Sequence, residues 1–256
     1  MTRRAVVTGA SSGIGRATVL ALRERGWEVT GVARRADRLA ALAEETGADV
    51  FAADLTQQAD IDALAAYLGG RPLHSLVHIA GGALGADRVE DGDPDGWLRM
   101  YEMNALSAQR LVRALLPQLR ATAAAGPTHA DTLFLTSTAA QTAYPGGAGY
   151  NAAKAAESML VAALRQELAG EPIRVIEIAP GMVHTEEFSL VRLGSADAAD
   201  RVYEGVENPL TADDVADVVA YALTAPGHVN LDLVTLRPVA QAAQHLVHRG
   251  PLAPRA

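Results

Sequence analysis

The 256-residue chain contains no cysteine, which excludes disulfides and thiolate metal sites and is compatible with a reducing cytoplasm. It has no run of about eighteen apolar residues, so no membrane-spanning helix is expected. Basic residues are in deficit: 22 lysines and arginines against 30 acidic residues leave a net charge of −8. That balance argues against a nucleic-acid surface and for a soluble protein. Arg3-Arg4 imitates a twin-arginine signal, but the apolar run behind it is short and ends at a glycine turn, so no targeting segment is expected. The spacing His245-x-x-His248 would put two imidazoles on one face of a helix, but no acidic or thiolate partner at ligand spacing accompanies them, so no metal is expected.

What the chain does have is a 49% hydrophobic content arranged as short apolar runs alternating with longer helical ones. This alternation is the mark of βαβ units and a parallel sheet. Strands are expected over 4–8, 28–33, 49–53, 73–79, 131–137, 172–178 and 231–236. Helices are expected over 13–25, 36–46, 57–68, 95–124, 148–169 and 211–224. The length suits one large α/β domain over 1–256, with a doubly wound, seven-stranded parallel sheet flanked by helices. The stretch 183–208 has no clear period and follows a strand's carboxyl end, where open α/β sheets bind ligands, so it is the expected substrate lid.

The chain is organised around Thr8-Gly9-Ala10-Ser11-Ser12-Gly13-Ile14-Gly15, between the apolar run Ala5-Val6-Val7 and a helical pattern starting at Arg16. Glycines permit close backbone approach, and the free N–H groups of a new helix favour a phosphate there. The same letters fit G-x-S-x-G, an esterase elbow with Ser11 as nucleophile and His245 or His248 as base. Against it, only eight residues precede Gly9, too few for the strands and oxyanion loop such an elbow needs. The second expected strand ends Val32-Ala33-Arg34-Arg35. A dinucleotide fold would place an acid for the adenosine ribose at Ala33, and its replacement by two arginines favours the 2′-phosphate of NADP. Asp54 closes the third strand, either against the adenine edge or as a turn residue.

Ser137 ends a strand, and Tyr150 and Lys154, four apart on the next helix, share a face. A phenol titrates near 10, and a nearby ammonium draws it towards a useful range. Taken with the glycine turn, these residues resemble the short-chain dehydrogenase/reductase family over essentially the whole chain. The resemblance implies a Rossmann-like fold and a cofactor site at Gly9, Ser11, Ser12, Gly13, Ile14, Arg34, Arg35, Asp54, Leu55, Ala80, Gly81, Pro180, Gly181, Val183 and Thr185. It implies Tyr150 as acid/base, Ser137 orienting the carbonyl oxygen, Lys154 on the nicotinamide ribose, and Asn104 holding a relay water. It implies substrate contacts from Gln141, Tyr144 and Arg192, and a cytoplasmic homotetramer or dimer packed through 95–124 and 148–169. One departure is plain: the family's Asn-Asn-Ala-Gly reads His78-Ile79-Ala80-Gly81 here, which removes two asparagines that tie the central strands.

Glu187-Phe188-Ser189-Leu190-Val191-Arg192, Pro226 to Asn230 and Arg237 to Gln241 resemble the NADP-dependent 3-hydroxy acid dehydrogenases. In that reading Arg192 clamps a substrate carboxylate; the alternative is a surface pair with Glu186 or Glu187. Reduction of an uncharged aldehyde or ketone, and NADP sensing without turnover, stay open. Trp97, Tyr101 and the apolar positions of 106–119 read as core or subunit contact.

Overall fold

The computed structural model describes residues 2–126 and 129–254. Short apolar runs with no polar face must be covered on both sides, which is what a parallel sheet between helix layers provides. The seven strands are β1 (Arg4–Thr8), β2 (Glu28–Ala33), β3 (Asp49–Ala52), β4 (Ser75–His78), β5 (Ala130–Leu135), β6 (Ile173–Pro180) and β7 (Val234–Leu236). They lie in the order β3-β2-β1-β4-β5-β6-β7, every pair parallel. The helices are α1 (Gly13–Glu24), α2 (Ala36–Thr46), α3 (Gln58–Leu68), α4 (Pro94–Tyr101), α5 (Ser107–Ala124), α6 (Ala148–Glu167), α7 (Phe188–Leu193), α8 (Ala196–Tyr203) and α9 (Ala212–Thr224).

The period of two along each strand divides the core. Val6, Leu76 and Phe134 face Ile61 and Leu64 of α3, Leu111 and Leu115 of α5 and Val161 of α6. Their neighbours Val7, Val77 and Leu133 face Val19 and Leu22 of α1, Leu39 and Leu42 of α2 and Val215 and Val219 of α9. At the amino edge, Asp131 accepts from Arg174 Nε at 2.7 Å and Ser75 Oγ at 2.8 Å. That buried triad, one residue from each of three adjacent strands, fixes the register of β4, β5 and β6. The strand order reverses between β1 and β4, so their carboxyl ends open a crevice.

The helix expected over 95–124 is interrupted. Asp93 starts α4 by accepting from Asp95 N and Gly96 N at 3.2 and 3.0 Å. Residues Glu102–Leu106 then form a π-turn before α5 begins. The Asn104 amide donates to the Met100 carbonyl at 2.7 Å, inserting a side chain into the backbone ladder, a recognised cause of such turns. The 183–208 stretch holds α7 and α8, separated by Gly194 in the left-handed region. Two short strands not anticipated, β8 (Gln241–Ala243) and β9 (Leu246–Val247), form a hairpin after β7.

Candidate active site

A cleft of about 520 Å³ opens at the carboxyl ends of the strands. One wall is the turn between β1 and α1. Gly15 is obligatory there: a Cβ would meet the Gly9 carbonyl oxygen at 2.2 Å. Gly9, Ser11, Ser12, Gly13 and Ile14 line the cleft with Arg34 and Arg35 from the end of β2. Arg34 is exposed at the mouth, whereas Arg35 turns inward and donates to Ser11 Oγ and Ser12 Oγ at 2.9 and 3.0 Å. Arg35 also grips the carboxylate of Glu187, just before α7, at 2.6 and 2.8 Å, and Ser12 Oγ donates to that carboxylate at 2.9 Å. Arg38 pairs with it as well. The hydrogen bonds from Arg35 hold the Glu187 carboxyl far below the usual range, at about 2, against a smaller opposing effect of burial. Its oxygens sit in a cradle of guanidinium and hydroxyl donors, the donor types that suit an anion.

Arg35 grips Ser11 Oγ, and no histidine bonds it among the described residues. His245 and His248 lie outside the cleft lining, so the esterase elbow is not assembled. Asp54 and Leu55 do line the cleft. The Asp54 carboxylate accepts from Thr56 N and Oγ1 at 3.0 and 2.8 Å, the turn role rather than a free acceptor.

The floor comes from β4, β5 and α6. Ser137 follows β5 and caps the short turn Thr138–Ala140 by accepting from Ala139 N at 3.1 Å. Tyr150 and Lys154 project from one face of α6 into the same cleft. Both are buried, and Tyr150 packs edge-on against Phe188 at 5.7 Å between ring centroids. Lys154 Nζ donates to the Leu135 carbonyl at 2.9 Å and to Glu157 Oε2 at 2.8 Å. Burial pulls Lys154 down, but the neighbouring Glu157 carboxylate and Tyr150 outweigh it and leave the amine above its ordinary value. Burial raises the Tyr150 phenol, and the opposing pull of Lys154 and Ser137 does not overcome it. The downward pull of Lys154 expected from the Tyr-Lys spacing is present, smaller than the effect of burial.

Asn104 is fully buried behind the floor. Its side chain donates to the Gly82 carbonyl at 2.9 Å and accepts from Gly82 N at 3.2 Å. A Cβ on Gly81 would come within 2.5 Å of Asn104 Oδ1 and 3.3 Å of Lys154 Nζ, so only glycine fits between them. The tie expected to be lost with the two asparagines is made differently. Thr8 Oγ1 accepts from Ile79 N and Ala80 N, both at 3.0 Å, which leaves its proton for His78 Nδ1 at 3.1 Å. The His78 proton then sits on Nε2, facing Ser107 Oγ at 3.3 Å. The Ser107 hydroxyl donates to the Met103 carbonyl at 2.7 Å and accepts from the ring. Burial first, and Lys154 second, depress His78 to about 3, so the ring is neutral.

The roof is α7 and α8. Arg192 donates to the Gly85 carbonyl, the Tyr144 hydroxyl and the Gly146 carbonyl at 3.1, 2.9 and 3.0 Å. Its guanidinium lies over the Tyr144 and Tyr150 rings, 5.5 and 5.8 Å from their centroids. Among the described residues it pairs with no carboxylate, since Glu187 is committed to Arg35 and Arg38. Ala80, Gly81, Tyr144, Pro180, Gly181, Val183 and Thr185 line the cleft as expected. Gln141 does not: it is exposed and bonds Thr235 at 3.2 Å, because the turn after Ser137 carries it outwards. Gln241, Gln244 and Phe188 line the cleft without having been anticipated. The two glutamines arrive with the β8–β9 hairpin, which carried no legible period.

With this geometry in view, the comparisons with known proteins are specific. The short chain dehydrogenase family model matches residues 3–193. The chain belongs to that family and is an alcohol–carbonyl oxidoreductase. It is 48% identical to an uncharacterized oxidoreductase of Mycobacterium tuberculosis (strain ATCC 25618 / H37Rv), over 94% of this chain and 93% of that protein. It is 38% identical to serine 3-dehydrogenase of Agrobacterium fabrum (strain C58 / ATCC 33970), over 93% of this chain and 94% of that protein. Among solved structures, the closed form of serine dehydrogenase complexed with NADP+ superposes with a TM-score of 0.89. It shares 32% identity and covers 96% of this chain and 99% of that one.

Proposed function

We propose that this enzyme interconverts a small 3-hydroxy acid and its 3-oxo acid or semialdehyde with NADP(H). The observation that carries the reading is a guanidinium, Arg192, with no carboxylate partner, set over the Tyr150 ring at the mouth of the Ser137–Tyr150–Lys154 floor. NADP(H) supplies or accepts the hydride. Ser137 Oγ and the Tyr150 hydroxyl hold the carbonyl oxygen, and Tyr150 passes its proton to the developing alkoxide. Lys154 secures the nicotinamide ribose, while Asn104 orders the π-turn behind it. Serine in the relatives' names is itself a 3-hydroxy acid, so its carboxylate presents the charge that Arg192 fits. A panel of hydroxy acids, semialdehydes and uncharged carbonyls, followed by NADPH absorbance, tests the reading. Preference for uncharged substrates would redirect it to the wider reductases.

Arg35, Ser11 and Ser12 would hold the 2′-phosphate, as they hold the Glu187 carboxylate here. A charge-assisted hydrogen bond is worth about 1.5–3 kcal/mol, or roughly one to two decades of affinity. Arg35→Ala is therefore expected to weaken NADPH binding about 10–100-fold and leave NADH nearly unchanged, read by NADPH fluorescence titration. Equal losses for both cofactors would make Arg35 structural. Exposed Arg34 is expected to have the smaller effect.

The 183–208 stretch is read as the lid, because α7 and α8 roof the cleft and Glu187 ties them to Arg35. A cytoplasmic homotetramer or dimer is also part of the reading. Leu98, Tyr101 and Met159 lie exposed on α4 and α6, on the stretches assigned to subunit contact, and light scattering measures the assembly directly.

A further inference from the structure

The roof helix α7 has little core of its own. Of its six residues only Ser189 is buried, and Leu190 and Val191 are exposed. Polar side chains at its two ends hold it instead. Arg192 reaches the Gly85 and Gly146 carbonyls and the Tyr144 hydroxyl. Glu187, just before the first turn, takes Arg35 Nη1 at 2.6 Å, Arg35 Nη2 at 2.8 Å and Ser12 Oγ at 2.9 Å, with Arg38 beside them. Both terminal nitrogens of Arg35 and the Ser12 proton are thereby committed to one carboxylate. Charge limits what else can enter. Arg35 and Arg38 bring two positive charges, Glu187 cancels one, and Asp37 adds a further negative charge near Arg35. Arg16 on the α1 side is already paired with Glu45. A phosphate monoester brings about −1.5 to −2 at neutral pH, so with Glu187 in place the two arginines would be outnumbered.

We propose that Glu187 is a specificity-determining residue for the cofactor, an internal carboxylate that competes with the 2′-phosphate for Arg35 and Ser12 and so ties the choice of nucleotide to the release of α7. The inference rests on the reading of that cradle as the 2′-phosphate site. A nucleotide with a free 2′-hydroxyl brings no second anion to the cradle and leaves Glu187 where it is. One with a 2′-phosphate must expel it, so its apparent affinity is reduced by the fraction of molecules in which the cradle stands open. Once expelled, Glu187 no longer anchors the start of α7. A short helix with one buried side chain then opens locally at little cost. Glu187 thus lowers the preference for the phosphorylated nucleotide below what Arg35, Ser11 and Ser12 alone would give.

Adenosine 2′,5′-bisphosphate and 5′-AMP differ only in the 2′-phosphate and are the probes, titrated calorimetrically into the full chain. Glu187→Gln keeps the shape and removes the charge. It is expected to tighten the bisphosphate by about 10–100-fold, the worth of a charge-assisted hydrogen bond, and to leave 5′-AMP nearly unchanged. Hydrogen exchange over 187–194 supplies a second readout through the amides of Val191 and Gly194, which bond the Glu187 and Leu190 carbonyls. In the wild type the bisphosphate should speed their exchange and 5′-AMP should not; in Glu187→Gln exchange should be fast without either. Unchanged or weaker bisphosphate binding in Glu187→Gln overturns the competition, as does an equal gain for 5′-AMP or slower exchange of α7 on adding the bisphosphate to the wild type. Adding Arg35→Ala to Glu187→Gln tests the underlying reading separately. The second change should abolish the gain, and a gain that survives it places the 2′-phosphate elsewhere.

Discussion

Tyr150→Phe is expected to lower kcat by at least 10²-fold, and by up to about 10⁴-fold, the contribution typical of a positioned proton donor. The substitution removes one oxygen and leaves the ring against Phe188 and beneath Arg192, so folding and the cleft wall are unchanged. NADPH affinity should stay within a few-fold of wild type, because the cradle that recognises its phosphates is built from Ser11, Ser12 and Arg35. Steady-state kinetics beside a fluorescence titration separate the two effects. The residual rate should also lose the alkaline dependence that the phenol gives to oxidation. A variant within tenfold of wild type would falsify the role given to Tyr150 and return attention to cofactor sensing without turnover.

Most of what positions this site was legible in the sequence, because it depends on local patterns. Runs such as Ala5-Val6-Val7, short and ended by a glycine turn, read as strands covered on both faces, and the glycine turn, Ser137, Tyr150 and Lys154 fall at strand and helix ends. What was not legible depends on contacts between distant elements. The apolar stripe of 95–124 runs unbroken through the π-turn, since the interruption is made by the Asn104 side chain reaching Met100 and Gly82. Glu157 follows Lys154 by three residues, a spacing that describes a solvated surface pair as well as a buried one; only the packing of α6 on the sheet decides. His78 resembled a lost tie, yet Thr8 and Ser107, 70 and 29 residues away, convert it into another one. A surface pair of Arg192 with Glu186 or Glu187 was the alternative to the carboxylate clamp. Glu187 instead precedes α7 and turns towards α2, leaving Arg192 to face the cleft.

That separation sets up the substitution with the clearest bearing on substrate class. Arg192 is held by two carbonyls and a phenol, which orient the guanidinium but neutralise none of its charge. A substrate carboxylate buried beside it gains a planar, two-pronged donor that lysine cannot reproduce. Each hydrogen bond to a charged group is worth about 1.5–3 kcal/mol, so losing a bidentate pair costs roughly two to four decades in kcat/KM. Arg192→Ala should therefore raise KM for 3-hydroxy acids and semialdehyde acids by about 10²-fold or more, with less than tenfold effect on neutral aldehydes of similar size. Arg192→Lys should recover part of the loss, since it returns the charge without the fork. The neutral substrates are the internal control, because Arg192 also ties the Gly85 and Gly146 loops to the roof. If both classes fall together in the alanine variant, the residue serves those loops and the carboxylate clamp is wrong. If only the acids fall, the anionic substrate class follows from the charge of one unpaired guanidinium.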